Sequence, residues 1–148
     1  MNNFIETLKA TGMGNIKHFD ENMNLVKELD VPNLVVTTGK NYIASRMVGT
    51  SSTVMSHMAV GTDDTSPAAG DTALIAEAGR VALSSFTAST NSVTATATFP
   101  AGTGTGALVE AGILNASSGG TMLCRTTFSV VNKAAGDSVA ITWTITVS

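Results

Sequence analysis

Apolar and polar positions alternate most regularly at the end of the chain. There Val139, Ile141, Trp143, Ile145 and Val147 interleave with Ser138, Ala140, Thr142, Thr144, Thr146 and Ser148. A period of two sends successive side chains to opposite faces of an extended strand, so one face enters a core and the other meets solvent or a neighbour. NSVTATATF repeats the device, with Val93, Ala95, Ala97 and Phe99 against Thr94, Thr96 and Thr98 between Asn91 and Pro100. TMLCRTTFSVV places Met122, Cys124, Thr126, Phe128 and Val130 on one side, and RVALSSFTAS is expected to pair with the 92–99 strand across the Asn91 turn. Turn-forming residues at 89–91, 101–106, 115–120 and 132–137 separate these segments. Residues 80–148 therefore read as consecutive short strands, and the pattern predicts a mainly β fold, an antiparallel sandwich or jelly-roll-like arrangement.

The middle of the chain is mixed. NLVVTT and SHMAVG are strand candidates, the second buried, while GKNYIASRMV carries Tyr42, Ile43, Arg46 and Met47 at helical spacing and predicts one short helix. GTDDTSPAAGD is a turn-rich connection, and TALIAEA after it reads as a weak helical turn. Toward the N-terminus, NNFIETLKATG could form a short helix with Asn3 and Glu6 as a capping box. For NIKHFDENMNLVKEL a hairpin is preferred to a helix, because Asp20, Asn22 and Asn24 are turn formers between two apolar stretches.

Composition strengthens the β reading. Charged residues are 13% of the 148, about half the usual share. The 22 Thr fill the gap with a β-branched side chain suited to a pleated surface. Charge is also uneven: residues 1–30 hold eight charged side chains, whereas 81–148 hold Glu110, Arg125, Lys133 and Asp137. This contrast suggests a division into an N-terminal arm or hairpin, 1–30, that docks onto a partner, and a β-sandwich, 31–148. The surface of the second part is either a hydroxyl-rich face in water or one covered by other subunits. A net charge of −3 without a Lys/Arg run argues against a nucleic-acid partner. No apolar run approaches the ~20 residues of a membrane span, and the N-terminus has no basic leader.

Candidate chemistry is sparse, and no catalytic, cofactor-binding or metal-ligating residue is assigned. His18 and His57 lack a metal-ligand spacing, and a structural role is preferred for both. No GxSxG turn accompanies the many Ser residues, and Cys124 on an alternating strand behaves as a small hydrophobe. AGTGTGALVE lacks the spacing of a phosphate-binding loop. Asp63, Asp64 and Asp71 lack a calcium-loop frame and read as solvated acids. Glu110 sits among apolar residues and, if buried, needs a cation, for which Arg80 or Arg125 is available. Ice or sugar binding by the Thr faces ranks low, since TxT repeats are brief and Trp143 alternates inward, leaving Tyr42 on the helix.

PNLVVTTGKNYIASRMV, MSHMAVGTDDTSPAAGDTAL with its following Glu and Gly-Arg, and TATFPAGTGTGALVEAGILNASSGGTMLCRTTF, followed by the closing alternation, resemble small structural proteins of tailed bacteriophages. The likeness covers roughly residues 31–148, and ETLKATG before an acidic turn extends it. It implies a β-sandwich that serves in the virion as a head decoration (cement) protein, or as a tail-collar, fibre or knob component. No enzymatic activity, catalytic residue or cofactor comes with it. The implied partners are further copies of the chain, as a homotrimer, and the major capsid protein or other virion proteins. The rival outside this class is a host-receptor or glycan-binding module. One departure is local: the turn in such proteins often reads Asp-x-Gly, and here Met23 stands where Gly would.

Overall fold

The computed structural model describes residues 6–50 and 53–148. Among the described residues nine strands and one helix follow in the order β1 (Ala10–Phe19), β2 (Leu25–Val35), α1 (Thr37–Met47), β3 (His57–Gly61), β4 (Glu77–Ala82), β5 (Ser85–Ser89), β6 (Ser92–Phe99), β7 (Gly106–Leu114), β8 (Met122–Lys133) and β9 (Ser138–Val147). The strands form one antiparallel sheet in the order β4-β3-β7-β8-β2-β1-β9-β6-β5. The mainly β expectation holds. Asn3 and its proposed capping box lie partly outside the described residues, and Ala10 to Gly12 of that segment are strand.

Two segments change partners, and they curl the sheet. β2 pairs with β1 from Leu25 to Asn33 and then with β8 at Leu34 and Val35. At the other side, Leu83 N–H donates to Ser56 O, continuing the β3–β4 ladder, while Ser84 N–H donates to Thr96 O beside the β5–β6 ladder. Adjacent residues are thus held by opposite halves of the sheet. One half is β1, β9, β6 and β5, the other β8, β7, β3 and β4, and both contribute to the main core, beside a smaller cluster of Val36, Ala59, Leu74, Leu114 and Met122. Trp143, Ile141, Phe99 and Ile16 come from the first half and Met58, Val60, Leu108 and Ile113 from the second. On β6 and β9 the inward positions are the apolar set of the period-two pattern, whereas β3, β7 and the first part of β8 are buried on both faces.

Helix α1 covers part of the core through contact with β8. Its only buried residue is Gly39; Tyr42 and Ile43 are half-buried, and Arg46 and Met47 point outward. The helical spacing located the helix but not its packing face. A methyl group at Gly39 would overlap the Leu123 carbonyl, so the missing side chain is what lets the helix approach the sheet.

Several finer expectations change. The boundary at 30/31 falls inside β2, and β1 lies between β2 and β9. The hairpin is therefore a central part of the sheet and not a detachable arm. RVALSSFTAS is split, so that only Ser85–Ser89 pairs with β6, while Glu77–Ala82 pairs with β3. The weak helical turn at TALIAEA is absent. The N–H groups of Ile75 and Ala76 instead donate to the Glu110 carboxylate. β8 changes parity along its length: Met122 to Thr126 are all buried, then Val131 is buried and Val130 exposed. A register irregularity against Leu108 and Glu110 of β7 produces the switch.

Candidate functional site

The outward face of the β5-β6-β9-β1 half is built almost entirely from hydroxyls. Its register aligns Ser89, Ser92, Thr146 and Thr11 in one row, and Thr87, Thr94, Thr144 and Met13 in the next. A third row is Ser85, Thr96, Thr142 and Asn15. Neighbouring hydroxyls bond to one another: Ser92 Oγ lies 3.0 Å from Thr146 Oγ1 and Ser85 Oγ 2.5 Å from Thr96 Oγ1. Cross-strand Thr and Ser pairs of this kind stabilise a pleated surface without charge. Charge appears only where the face reaches the hairpin, where Asn15 Nδ2 donates to Glu28 and Asp30. The charged N-terminal segment and the neutral strands thus share one surface.

Buried charge lies elsewhere and is internally paired. Arg125 and Glu110 are both fully buried on adjacent strands. Arg125 Nε donates to Glu110 Oε2 at 3.0 Å, and Nη2 lies 2.9 Å from the same oxygen without hydrogen-bond alignment. Nη1 donates to Thr65 O at 2.9 Å and to Asp71 Oδ2 at 3.2 Å. The carboxylate of Glu110 is accommodated because Gly61, directly opposite on β3, has no side chain to occupy the space. The outcome sorts the expected candidates. Arg125 is the partner of Glu110, while Arg80 pairs with Glu77 at 2.6 Å and donates to Ala116 O and Gly119 O. Asp71 is not a free loop acid, since it also accepts from Ala68 N–H. The Thr65 hydroxyl, and then the Thr65 N–H that donates to Asp63 Oδ1 at 2.8 Å, hold the Asp63 carboxyl below the usual value. Together these groups pin the 62–76 connection to the sheet.

A second polar cluster lies at the C-terminal end of β1. His18, buried, lies with Nε2 2.8 Å from Asp137 Oδ2, and Asp137 also accepts from Ala134 N–H. The His18 hydrogen bond, then that of Ala134, holds the Asp137 carboxyl below the ordinary 3.8. Lys133, 2% exposed, donates from Nζ to Pro100 O at 2.9 Å, and burial pushes its pKa down. The hairpin tip is organised by Asp20, whose Oδ1 accepts from the N–H groups of Asn22 and Asn24. His57, half-buried, bonds through Nδ1 to Ser56 Oγ at 2.8 Å. Cys124 is buried, and desolvation pushes its thiol up to about 12, so it is unreactive in the folded protein.

A mainly apolar depression of about 510 Å³ lies between α1 and the start of β1, lined by Leu8, Ala10, Ile43, Ala44, Met47 and Val147 together with Lys9, Thr11 and Lys40. Sequence reading missed it, because it is assembled from three distant segments. Among the described residues no group of three or more His, Cys, Asp or Glu is placed to hold a metal ion, and no helix is long and apolar enough to cross a membrane. Trp143 is buried, so it offers no platform for a sugar. Comparison of the chain with protein families, with curated proteins and with solved structures finds no match in any of the three.

Proposed function

We propose that this chain is a non-enzymatic structural protein of a tailed-bacteriophage virion, a decoration protein that binds the assembled head lattice and cements it. The reading rests on the resemblance of residues 31–148 to such proteins. The observation that carries it is the hydroxyl face across β5, β6, β9 and β1. A broad, nearly uncharged, pleated surface with a charged border suits repeated contacts among identical subunits, where each residue meets its equivalent many times. The buried pair Arg125 and Glu110, and the buried His18 with its part-exposed partner Asp137, bond to one another and to backbone, which leaves them serving the fold. The mechanism is linkage: a protein that binds the assembled lattice better than free capsomers stabilises the shell by mass action. Docking uses the hydroxyl face together with the β1–β2 hairpin that borders it.

The test is a binding assay of purified protein on undecorated heads. Thr144→Lys introduces a charge at the centre of the face and should abolish coating while the circular dichroism spectrum stays unchanged. Full coating by a folded Thr144→Lys protein would overturn the assignment of that face. Binding of the protein to tail structures alone, with bare heads left uncoated, would favour a tail-collar or fibre-attachment role.

A further inference from the structure

The two ends of the sheet differ in how they are guarded. β4, at one end, carries the Glu77–Arg80 ion pair, and Arg80 ties it to the 116–119 loop. β5, at the other end, pairs with β6 on one side, and no strand is bonded to its outer edge among the described residues. All five of its residues are exposed, including Phe86 at 36%. Edge strands are normally protected by Lys, Pro, a bulge or a covering loop, because their free N–H and C=O groups template pairing with another chain. Here neither Pro nor charge is available: from Val81 to Val109 the only Pro is Pro100, and there is no Asp, Glu, Lys, Arg or His.

We propose that β5 is a self-pairing edge, joining two copies of the chain antiparallel about a two-fold axis at Thr87. Three features of the segment favour a second copy over a foreign strand. A two-fold contact sets like against like, which charge would oppose and this uncharged stretch permits. The register about Thr87 sets Phe86 against the partner's Ala88, large against small, and does so twice. It also sets Ser85 against the partner's Ser89, a hydroxyl pair of the kind already bonded across β5–β6 and β6–β9. Because Ser85, Thr87 and Ser89 belong to the outward rows, pairing fuses two hydroxyl faces into one surface. This contact is two-fold, so it is separate from any three-fold association and stands independently of the virion reading. A five-residue edge falls short of the ~800 Å² per partner of a stable dimer, so pairing is concentration-dependent in free protein and becomes strong where copies are held side by side.

Two measurements on the full chain test it. Directly opposed residues of an antiparallel pair have Cα atoms about 4.5–5.5 Å apart, within disulfide range. Thr87→Cys should therefore cross-link under mild oxidation about tenfold or more faster than Ser66→Cys in an exposed loop, giving a product of twice the chain mass. The buried Cys124 leaves the unsubstituted chain without a disulfide-linked product. In sedimentation velocity the unsubstituted chain should gain a doubled species with rising concentration, and Thr87→Lys, which sets two lysines at the axis, should lose it. Equal cross-linking of the two cysteine variants, or association unchanged by Thr87→Lys, would overturn the proposal.

Discussion

Glu110 Oε2 lies 3.0 Å from Arg125 Nε with both side chains fully shut off from solvent, and the other carboxylate oxygen accepts from Ala76 N–H at 2.8 Å. One acid thereby joins β7 to β8 and fastens the 62–76 connection. Removing one member of a buried pair leaves the other uncompensated, which costs about 3–5 kcal/mol. Glu110→Ala should lower unfolding stability by that amount in urea titration and expose the 62–76 connection to proteolysis. A loss under about 1 kcal/mol would show that the pair is not holding the fold.

Gly39 presents a reversal of ordinary helix chemistry. In an exposed helix interior Gly→Ala gains up to about 1 kcal/mol. Here the added methyl would overlap the Leu123 carbonyl, forcing α1 off β8. Gly39→Ala is expected to destabilise by about 1–3 kcal/mol, as overpacking does, with the denaturation midpoint as the measurement.

Met23 adopts φ 63°, the left-handed region that costs a non-glycine residue about 1–2 kcal/mol. It closes the tip of the β1–β2 hairpin three residues after Asp20, where its N–H donates to Asp20 O at 3.0 Å. Met23→Gly should raise stability by about 1 kcal/mol, after allowing for the extra freedom of glycine in the unfolded chain. An unchanged or lower thermal midpoint would contradict the strain.

The acid limb of stability follows from Asp137. Its folded pKa is depressed by His18 and the Ala134 N–H, so its contribution is present above the ordinary 3.8 and is lost as pH falls through the folded value. Asp20 and Asp63 are depressed in the same direction by turn hydrogen bonds. Urea midpoints measured from pH 7 to pH 2 should fall below about pH 4 in the unsubstituted chain. The fall should be shallower, though not abolished, in Asp137→Asn. Superimposable acid limbs would remove Asp137 from the explanation.

What could be read from the sequence was what periodicity encodes. Val139 to Val147 and Val93 to Phe99 show their buried face directly, and both strands form as expected with Trp143 in the core. The hairpin was legible from Asp20, Asn22 and Asn24, which do build the tip. Its place at the centre of the sheet was not, because pairing of β1 with β9 joins residues 119 to 137 positions apart and leaves no local signature. The split of RVALSSFTAS at Leu83 and Ser84 was hidden for a related reason: one run of strand-forming residues serves both halves of the sheet. Glu110 was recognised as needing a cation, but the choice of Arg125 over Arg80 depends on the β7–β8 register and the space at Gly61.

The proposed role is adhesion to a virion through a wide neutral face, and the most direct measurement is the number of chains per purified phage particle by quantitative mass spectrometry. Decoration of the head predicts on the order of hundreds of copies, set by lattice symmetry, against about 3 to 18 for a tail component. Absence of the chain from purified particles would contradict the proposal outright.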